Sequence, residues 1–362
     1  MSIVIFILIL SFLVIIHELG HFFAARLMKM KIEEFGIGYP PRALKLFKWK
    51  ETLFSLNWVP FGGFVAIKGE EDENGAFHKF STNKRLFVIL AGATVNFLFG
   101  VLAFSLVFSI SGIPTRLNQP RIGQISPDSP AAAANLPTDV NILALKANDE
   151  LFEINALEGV IEEISNHQGE TVKLVTTGHC EQLECEDLAQ EFEVYLRKAE
   201  EIPAGQGSLG IIFQSVVYLD YPWYEMPFRG AWYGLVQAFW LGGIILDGLG
   251  DLLRNMVLLG QIPEEISGPV GIVHQATSEG IFAEGFLALL SFSGMLSVNL
   301  AIMNILPIPA LDGGRAIFIL VEKITGRMRI KKIEQYANYV GYILLLGLII
   351  SVTIRDVIRI FI

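Results

Sequence analysis

Long apolar runs alternate with polar stretches along this chain, and the alternation sets its organisation. Apolar runs cover residues 2–27, 86–111, 284–311 and about 336–352. Roughly 17–25 residues are needed for a helix to cross a bilayer, so each run predicts a membrane span. A further run at 231–245 is apolar but holds Gln237, and Asp247, Asp251 and Arg254 follow it. Trp223, Trp232, Tyr233, Phe239 and Trp240 give it an aromatic belt, so it reads either as a span or as an amphipathic helix in the interface. Residues 53–67 alternate aromatic and aliphatic positions around Pro60 and the Gly62-Gly63 pair. That pattern predicts a β-hairpin, apolar enough to dip into the bilayer where protein or water satisfies its backbone. Between 112 and 220 the pattern changes to short β-like runs at 122–125, 171–175, 192–196 and 209–213, separated by turns. Ser129-Pro130 ahead of four alanines marks a helix start. This stretch predicts a soluble α+β module of about a hundred residues, the size of one small domain.

Composition agrees. Only 18% of the 362 residues are charged, mean hydropathy is +0.50 and the formal net charge is −10. These values fit a multi-span membrane protein, and an acidic chain without a basic stripe excludes nucleic-acid binding. The map of charge says more than its sum. Residues 28–85 carry Lys29, Lys31, Arg42, Lys45, Lys48, Lys50, Lys68, Lys79, Lys84 and Arg85. Residues 315–335 carry Arg315, Lys323, Arg327, Arg329, Lys331 and Lys332. Both loops are therefore expected on the cytoplasmic side, and the acidic 112–220 module outside. The first run lacks a basic segment before it, and Arg26, Lys29 and Lys31 follow it. That order favours a retained span with its N-terminus outside over a cleaved signal. Cys180 and Cys185 either pair in an oxidising compartment or are incidental.

The chemistry is concentrated at 17–21, His-Glu-Leu-Gly-His, inside the first apolar run. On a helix, His17 and His21 sit one turn apart on one face, as two ligands of a single zinc ion require, and Glu18 lies between them as a base for water. Read without function, they would be interfacial histidines. Charged groups at this depth cost roughly 2.5–3.5 kcal/mol each, which argues for use rather than accident. A hydrolytic zinc needs a third protein ligand. His274 lies in a polar linker and His78, His167 and His179 in soluble regions, whereas Asp312 closes an apolar run in a helix-breaking, Gly-rich setting. Asp312 meets His17 and His21 only if their two spans run in parallel, with an odd number of crossings between them. Residues 86–111 supply that crossing. The segment at 223–259 is accordingly expected in the interface, giving four spans with both termini outside. The second span also holds Asn96 among Ala91, Gly92, Ala93 and Gly100, which suits close helix packing as well as a direct role.

These residues resemble the site-2 proteases, the intramembrane zinc metalloproteases, and within them the bacterial regulator-of-sigma-E protease group. The resemblance is carried by 17–22, 59–65, 85–97, 267–271 and the stretch 304–313, Asn-Ile-Leu-Pro-Ile-Pro-Ala-Leu-Asp-Gly. It implies His17, His21 and Asp312 as zinc ligands and Glu18 as the general base. It implies Asn304 as a substrate-handling residue and places the Gly62-Gly63 segment in a membrane-associated β element; by β-strand addition, an edge at 62–65, Phe64 included, would offer an unwound substrate a partner. Asn96 joins the candidate substrate-binding residues. It makes 112–220 a PDZ-like domain, although 138–143 reads Thr-Asp-Val-Asn-Ile-Leu where relatives have Gly-Asp before an Ile-Leu strand. The fold class expected is a polytopic α-helical membrane protein. Its parts are a first span at 1–27, a cytoplasmic loop with β-hairpin at 28–85, a second span at 86–111, the external α+β domain at 112–220, an interfacial segment at 221–283, a third span at 284–314, a cytoplasmic loop at 315–335 and a last span at 336–362. The function implied is regulated intramembrane proteolysis in the bacterial cytoplasmic membrane. Its substrates would be single-span membrane proteins, such as anti-sigma factors already trimmed by an upstream site-1 protease, or signal-peptide remnants. Two other readings have a sequence basis. One is a membrane scaffold with a vestigial metal site, gripping clients through the PDZ-like module. The other is a different HExxH protease whose third ligand is a cytosolic Glu, against which Glu33 and Glu34 stand too close to the first span.

Overall fold

A computed structural model describes residues 1–70, 75–148, 150–203, 205–259 and 268–361. Ser267, part of the 267–271 motif, lies outside them. The chain divides into two compact units, Met1–Val107 with Gly230–Ile362, and Phe108–Arg229.

The first unit is built on helix α1 (Ser2–Leu27) and helix α2 (Thr82–Ser111). Between them strands β1 (Ile32–Trp49) and β2 (Thr52–Ile67) form the expected hairpin, with more pairing than a simple ribbon. Residues 34–37 of β1 pair with 53–56 of β2 on one side and with 63–66 on the other. Residues 42–49 of β1 pair with 52–57, the closing arm of the ribbon. The ribbon is thus folded on itself, with 63–67 as one edge. Gly62, at φ +85°, begins that edge, in a backbone region open to glycine.

Helix α1 is apolar all round and is gripped by two clusters. Phe22, Ala24 and Ala25 pack with Phe35, Ile67, Val88, Ile89, Ala316 and Ile319. Phe6 and Leu13 pack with Ala276, Phe292 and Leu296. His17 falls between the two clusters in sequence.

The later part of this unit comprises the long helix α5, which begins in the second unit (Met226–Leu259), α6 (Pro269–Ser278), α7 (Phe286–Ile305), α8 (Asp312–Thr325) and α9 (Arg327–Phe361). Among the described residues, α1, α2, Met226–Leu252 of α5, and α7 are long and apolar enough to cross a membrane. Three of these are the expected spans. The fourth belongs to the segment expected in the interface. Helix α9, where the last span was expected, is continuous and carries no charged residue from Tyr336 to Ile354. Helix α7 stops at Ile305, before the two prolines, and does not run to 314. Proline lacks an N–H and ends a helix, so residues 306–311 form a loop and Asp312 opens a new helix.

The second unit is the expected α+β module. Strands β3 (Ile113–Ile125), β4 (Val140–Ala147), β5 (Glu150–Glu153), β6 (Thr171–Thr176), β9 (Gln190–Tyr195) and β10 (Ile211–Leu219) form an antiparallel sheet. Its order is β10-β3-β4-β6-β9, with β5 beside β4. The two short strands β7 (Cys180–Glu181) and β8 (Glu184–Cys185) make a separate hairpin, closed by a Cys180–Cys185 disulfide. Helix α3 (Pro130–Ala133) starts where the sequence indicates, with the Ser129 hydroxyl accepting the Ala132 N–H at 3.2 Å. Helix α4 (Leu157–Asn166) buries Val160 and Ile164, one turn apart, in the core with Ile142, Leu145, Val172, Leu174 and Val194.

Candidate metal centre

The sequence places His17 and His21 on one face of α1, and the fold brings Asp312 to them across 291 positions. His17 Nε2 lies 3.0 Å from His21 Nε2 and 3.0 Å from Asp312 Oδ2, and His21 Nε2 lies 3.3 Å from the same oxygen. Among the described residues these three form the single group of histidine, cysteine and carboxylate side chains placed to hold a metal ion. The tautomer follows from the surroundings. His21 Nδ1 faces the Val88 carbonyl oxygen at 2.8 Å, which accepts its proton and leaves Nε2 with a lone pair. A carboxylate oxygen and imidazole lone pairs turned toward one another repel unless a cation lies among them. Tetrahedral zinc bonds of roughly 2.0–2.1 Å put neighbouring ligand atoms about 3.3 Å apart, so the triangle of donors fits zinc.

Asp312 owes its position to the loop before it. Cβ atoms on Gly313 and Gly314 would collide with the carbonyl groups of Ile305, Leu306 and Ile308, so α8 can start only with glycine at both positions. Ala310, at φ +75°, donates its N–H to Asn338 Oδ1 of α9 at 3.0 Å. A Cβ on Gly341 would lie 2.6 Å from the Pro309 carbonyl oxygen, so α9 presses directly on the loop. Asp312 is the first residue of α8, where the helix dipole favours an anionic side chain.

Two glycines on the opposite wall make room for the imidazoles. A Cβ on Gly20 would lie 2.7 Å from the Ala91 carbonyl oxygen, and one on Gly92 would lie 2.7 Å from both Cε1 and Nε2 of His17 and closer still to Nε2 of His21. Helices α1 and α2 therefore meet backbone to backbone at the centre. The sequence singled out Gly92 as a packing residue. Its contact with both rings, and the Val88 carbonyl as a partner, had no signal in composition or spacing.

Glu18 follows His17 on α1, and its neighbour is the β2 edge. A Cβ on Gly63 would lie 3.2 Å from Glu18 Cγ and 3.1 Å from the Gly36 carbonyl oxygen. Gly62 and Phe64 flank that point, with Gly62 against the Tyr39 ring and Phe64 against Gly36. Asn304 is half-buried on the last turn of α7, just before the loop that carries Asp312. Asn96 on α2 is fully buried, and neither its amide nitrogen nor its oxygen has a partner.

A polar cavity of about 1000 Å³ lies in the same unit, lined by Tyr39, Phe64, Arg85, Arg315, Glu322 and Asn338 among others. Two ion pairs cross it. Arg85, buried at the start of α2, holds Glu322 of α8 through two bonds of 3.0 and 3.2 Å, and Arg315 pairs with Glu70. At the hairpin, burial acts to raise the Glu34 carboxyl, but hydrogen bonds from Arg42 and Ser55 outweigh it and hold the group below the usual carboxylate range.

Comparison with known proteins identifies the family. Residues 5–348 match the model of peptidase family M50. A Clostridium acetobutylicum protein that bears the name of a zinc metalloprotease is 32% identical, over 99% of this chain and 97% of its own length. The zinc metalloproteases RasP of Geobacillus kaustophilus and Oceanobacillus iheyensis are 27% and 26% identical. Those alignments cover 99% of this chain in both cases, and 98% and 99% of the relatives. The chain belongs to peptidase family M50, the site-2 proteases, and is a zinc-dependent membrane metalloendopeptidase.

Proposed function

We propose that this protein hydrolyses peptide bonds within or beside the transmembrane segments of single-span membrane proteins, with His17, His21 and Asp312 holding the zinc and Glu18 as general base. The observation that carries the reading is the convergence of three lone-pair donors on one point of α1, with Glu18 beside a strand edge that is unpaired among the described residues. Bound zinc supplies Lewis acidity toward water and toward the scissile carbonyl. Glu18 takes the proton of the attacking water and returns it to the leaving amine. The Nδ1–H of His21, tied to Val88, keeps that ring aimed at the centre.

A transmembrane substrate presents a further problem, since helical carbonyls are bonded and covered. The edge formed by 63–67 offers the alternative. An unwound segment can add to it as another strand, exchanging its helical bonds for ladder bonds. Gly63 would bring that strand within reach of Glu18, with Gly62 and Phe64 beside it. Asn304, ahead of the Asp312 loop, would hold a second backbone group. The charge map supports a bacterial cytoplasmic membrane location with both termini outside, α5 in the interface and α9 as the last span. The Cys180–Cys185 disulfide is in keeping with an external α+β unit. That unit acts as a PDZ-like filter or peptide-end binder, and an upstream site-1 protease prepares the substrate.

The test is zinc stoichiometry with cleavage. Purified His17→Ala and Asp312→Ala proteins should each lose zinc and cleavage of a single-span substrate. Full zinc content in Asp312→Ala would move the third ligand elsewhere.

A further inference from the structure

We infer that Asn96 is a positioning residue of the metal centre, its side-chain carbonyl accepting a hydrogen bond from one enclosed water that in turn accepts the Nδ1–H of His17. The inference rests on the reading of His17 as a ligand through Nε2. If Nε2 holds a lone pair for the metal, the ring proton sits on Nδ1, which then needs an acceptor. His21 has one in Val88, at 2.8 Å. His17 Nδ1 is buried with no partner. Leaving such a donor unpaired costs about 1–3 kcal/mol.

Asn96 brings the complementary deficit. It is 0% exposed, and both polar atoms of its amide lack partners. Its place on α2 fits the need. Gly92 abuts Cε1 and Nε2 of His17, and Cε1 is bonded to both ring nitrogens. Asn96 is one helical turn beyond Gly92 on the same face, and helical side chains lean back toward the preceding turn, so its amide covers the space above Gly92. Among side-chain acceptors, elimination leads to the same residue. Among the described residues, the other buried side-chain oxygens without a partner belong to Asn57, Thr176, Gln214 and Asp312. Thr176 and Gln214 are in the other unit, Asn57 is in the hairpin, and Asp312 Oδ2 already faces the two Nε2 atoms.

A role in helix packing does not account for the amide. The α2–α7 contact at this turn is made by the Asn96 backbone carbonyl, which accepts the Ser297 hydroxyl at 2.8 Å. An apolar side chain would leave that bond intact.

The experiment compares wild type with Asn96→Leu, Asn96→Asp and His17→Ala, as full-length protein in detergent. Zinc affinity is read by competition with a chromophoric chelator, ligand geometry from the visible absorption of the cobalt-substituted protein, and folding from melting of the zinc-free protein. Asn96→Leu should bind zinc about 10–100-fold more weakly with an altered cobalt spectrum. Its zinc-free form should still melt in one cooperative transition, which separates weaker zinc binding from unfolding. Asn96→Asp, which keeps an acceptor oxygen, should recover most of the affinity. Wild-type zinc affinity and an unchanged cobalt spectrum in Asn96→Leu would overturn the inference, whatever the melting temperature. Wild-type zinc binding by His17→Ala would instead overturn the ligand assignment, and the inference with it.

Discussion

Gly92 of α2 faces the imidazoles of His17 and His21 with no side chain in between, and a Cβ there would enter the space their nitrogens occupy. A close approach of α1 and α2 and the candidate metal centre are thus one place. Gly92→Ala should displace both rings and abolish zinc binding. Gly100→Ala, two turns along α2, should strike Val298 of α7 and destabilise the fold by roughly 1–3 kcal/mol while leaving zinc content intact. Zinc analysis and thermal melting of the two variants test the distinction.

Glu18 and the zinc donors separate by chemistry. Glu18→Gln preserves volume but removes the carboxylate proposed as the base. It should retain one zinc per chain and lose cleavage by at least 10²–10⁴-fold, the usual contribution of a positioned base. Near-normal turnover would reject the role given to Glu18.

Gly63 sets the strand edge against Glu18, the proposed base. Its missing side chain faces Glu18 Cγ and the Gly36 carbonyl at 3.2 and 3.1 Å, so Gly63→Val would push both. Zinc content should stay at the wild-type level while kcat falls at least tenfold. If kcat is unchanged, the edge does not deliver substrate to Glu18.

Asp356, buried on α9, accepts the N–H groups of Gly268 and Gly271 at 2.8 and 2.9 Å and so caps α6 from another helix. Asp356→Ala should lower stability by roughly 1–2 kcal/mol, and Asp356→Asn should recover part of it. Neither variant should change zinc stoichiometry. Thermal melting with metal analysis checks both.

Much of the centre was legible because its chemistry lies in residue identity at short spacing. His17, Glu18 and His21 need only a helix to share a face. Asp312 stood out as a carboxylate among prolines and glycines beside an apolar run, but its place at the head of α8 rests on loop packing by Gly313, Gly314, Asn338 and Gly341. The hairpin was legible as alternation, yet the double pairing of 34–37 depends on how the ribbon folds back. Arg85 read as one of the basic residues of the 28–85 loop, and Glu322 carried no signal. Their pairing across 237 positions is a tertiary contact that no local pattern encodes. The disulfide likewise resolves a choice that two cysteines alone left open.

The most direct measurement maps the cut. A single-span substrate is incubated with purified protein in detergent, with and without chelator, and the products are placed by mass spectrometry. The account predicts cleavage within or next to the transmembrane segment, abolished by the chelator and restored by zinc. Cleavage confined to the soluble part of the substrate, or undiminished after zinc is removed, would contradict it.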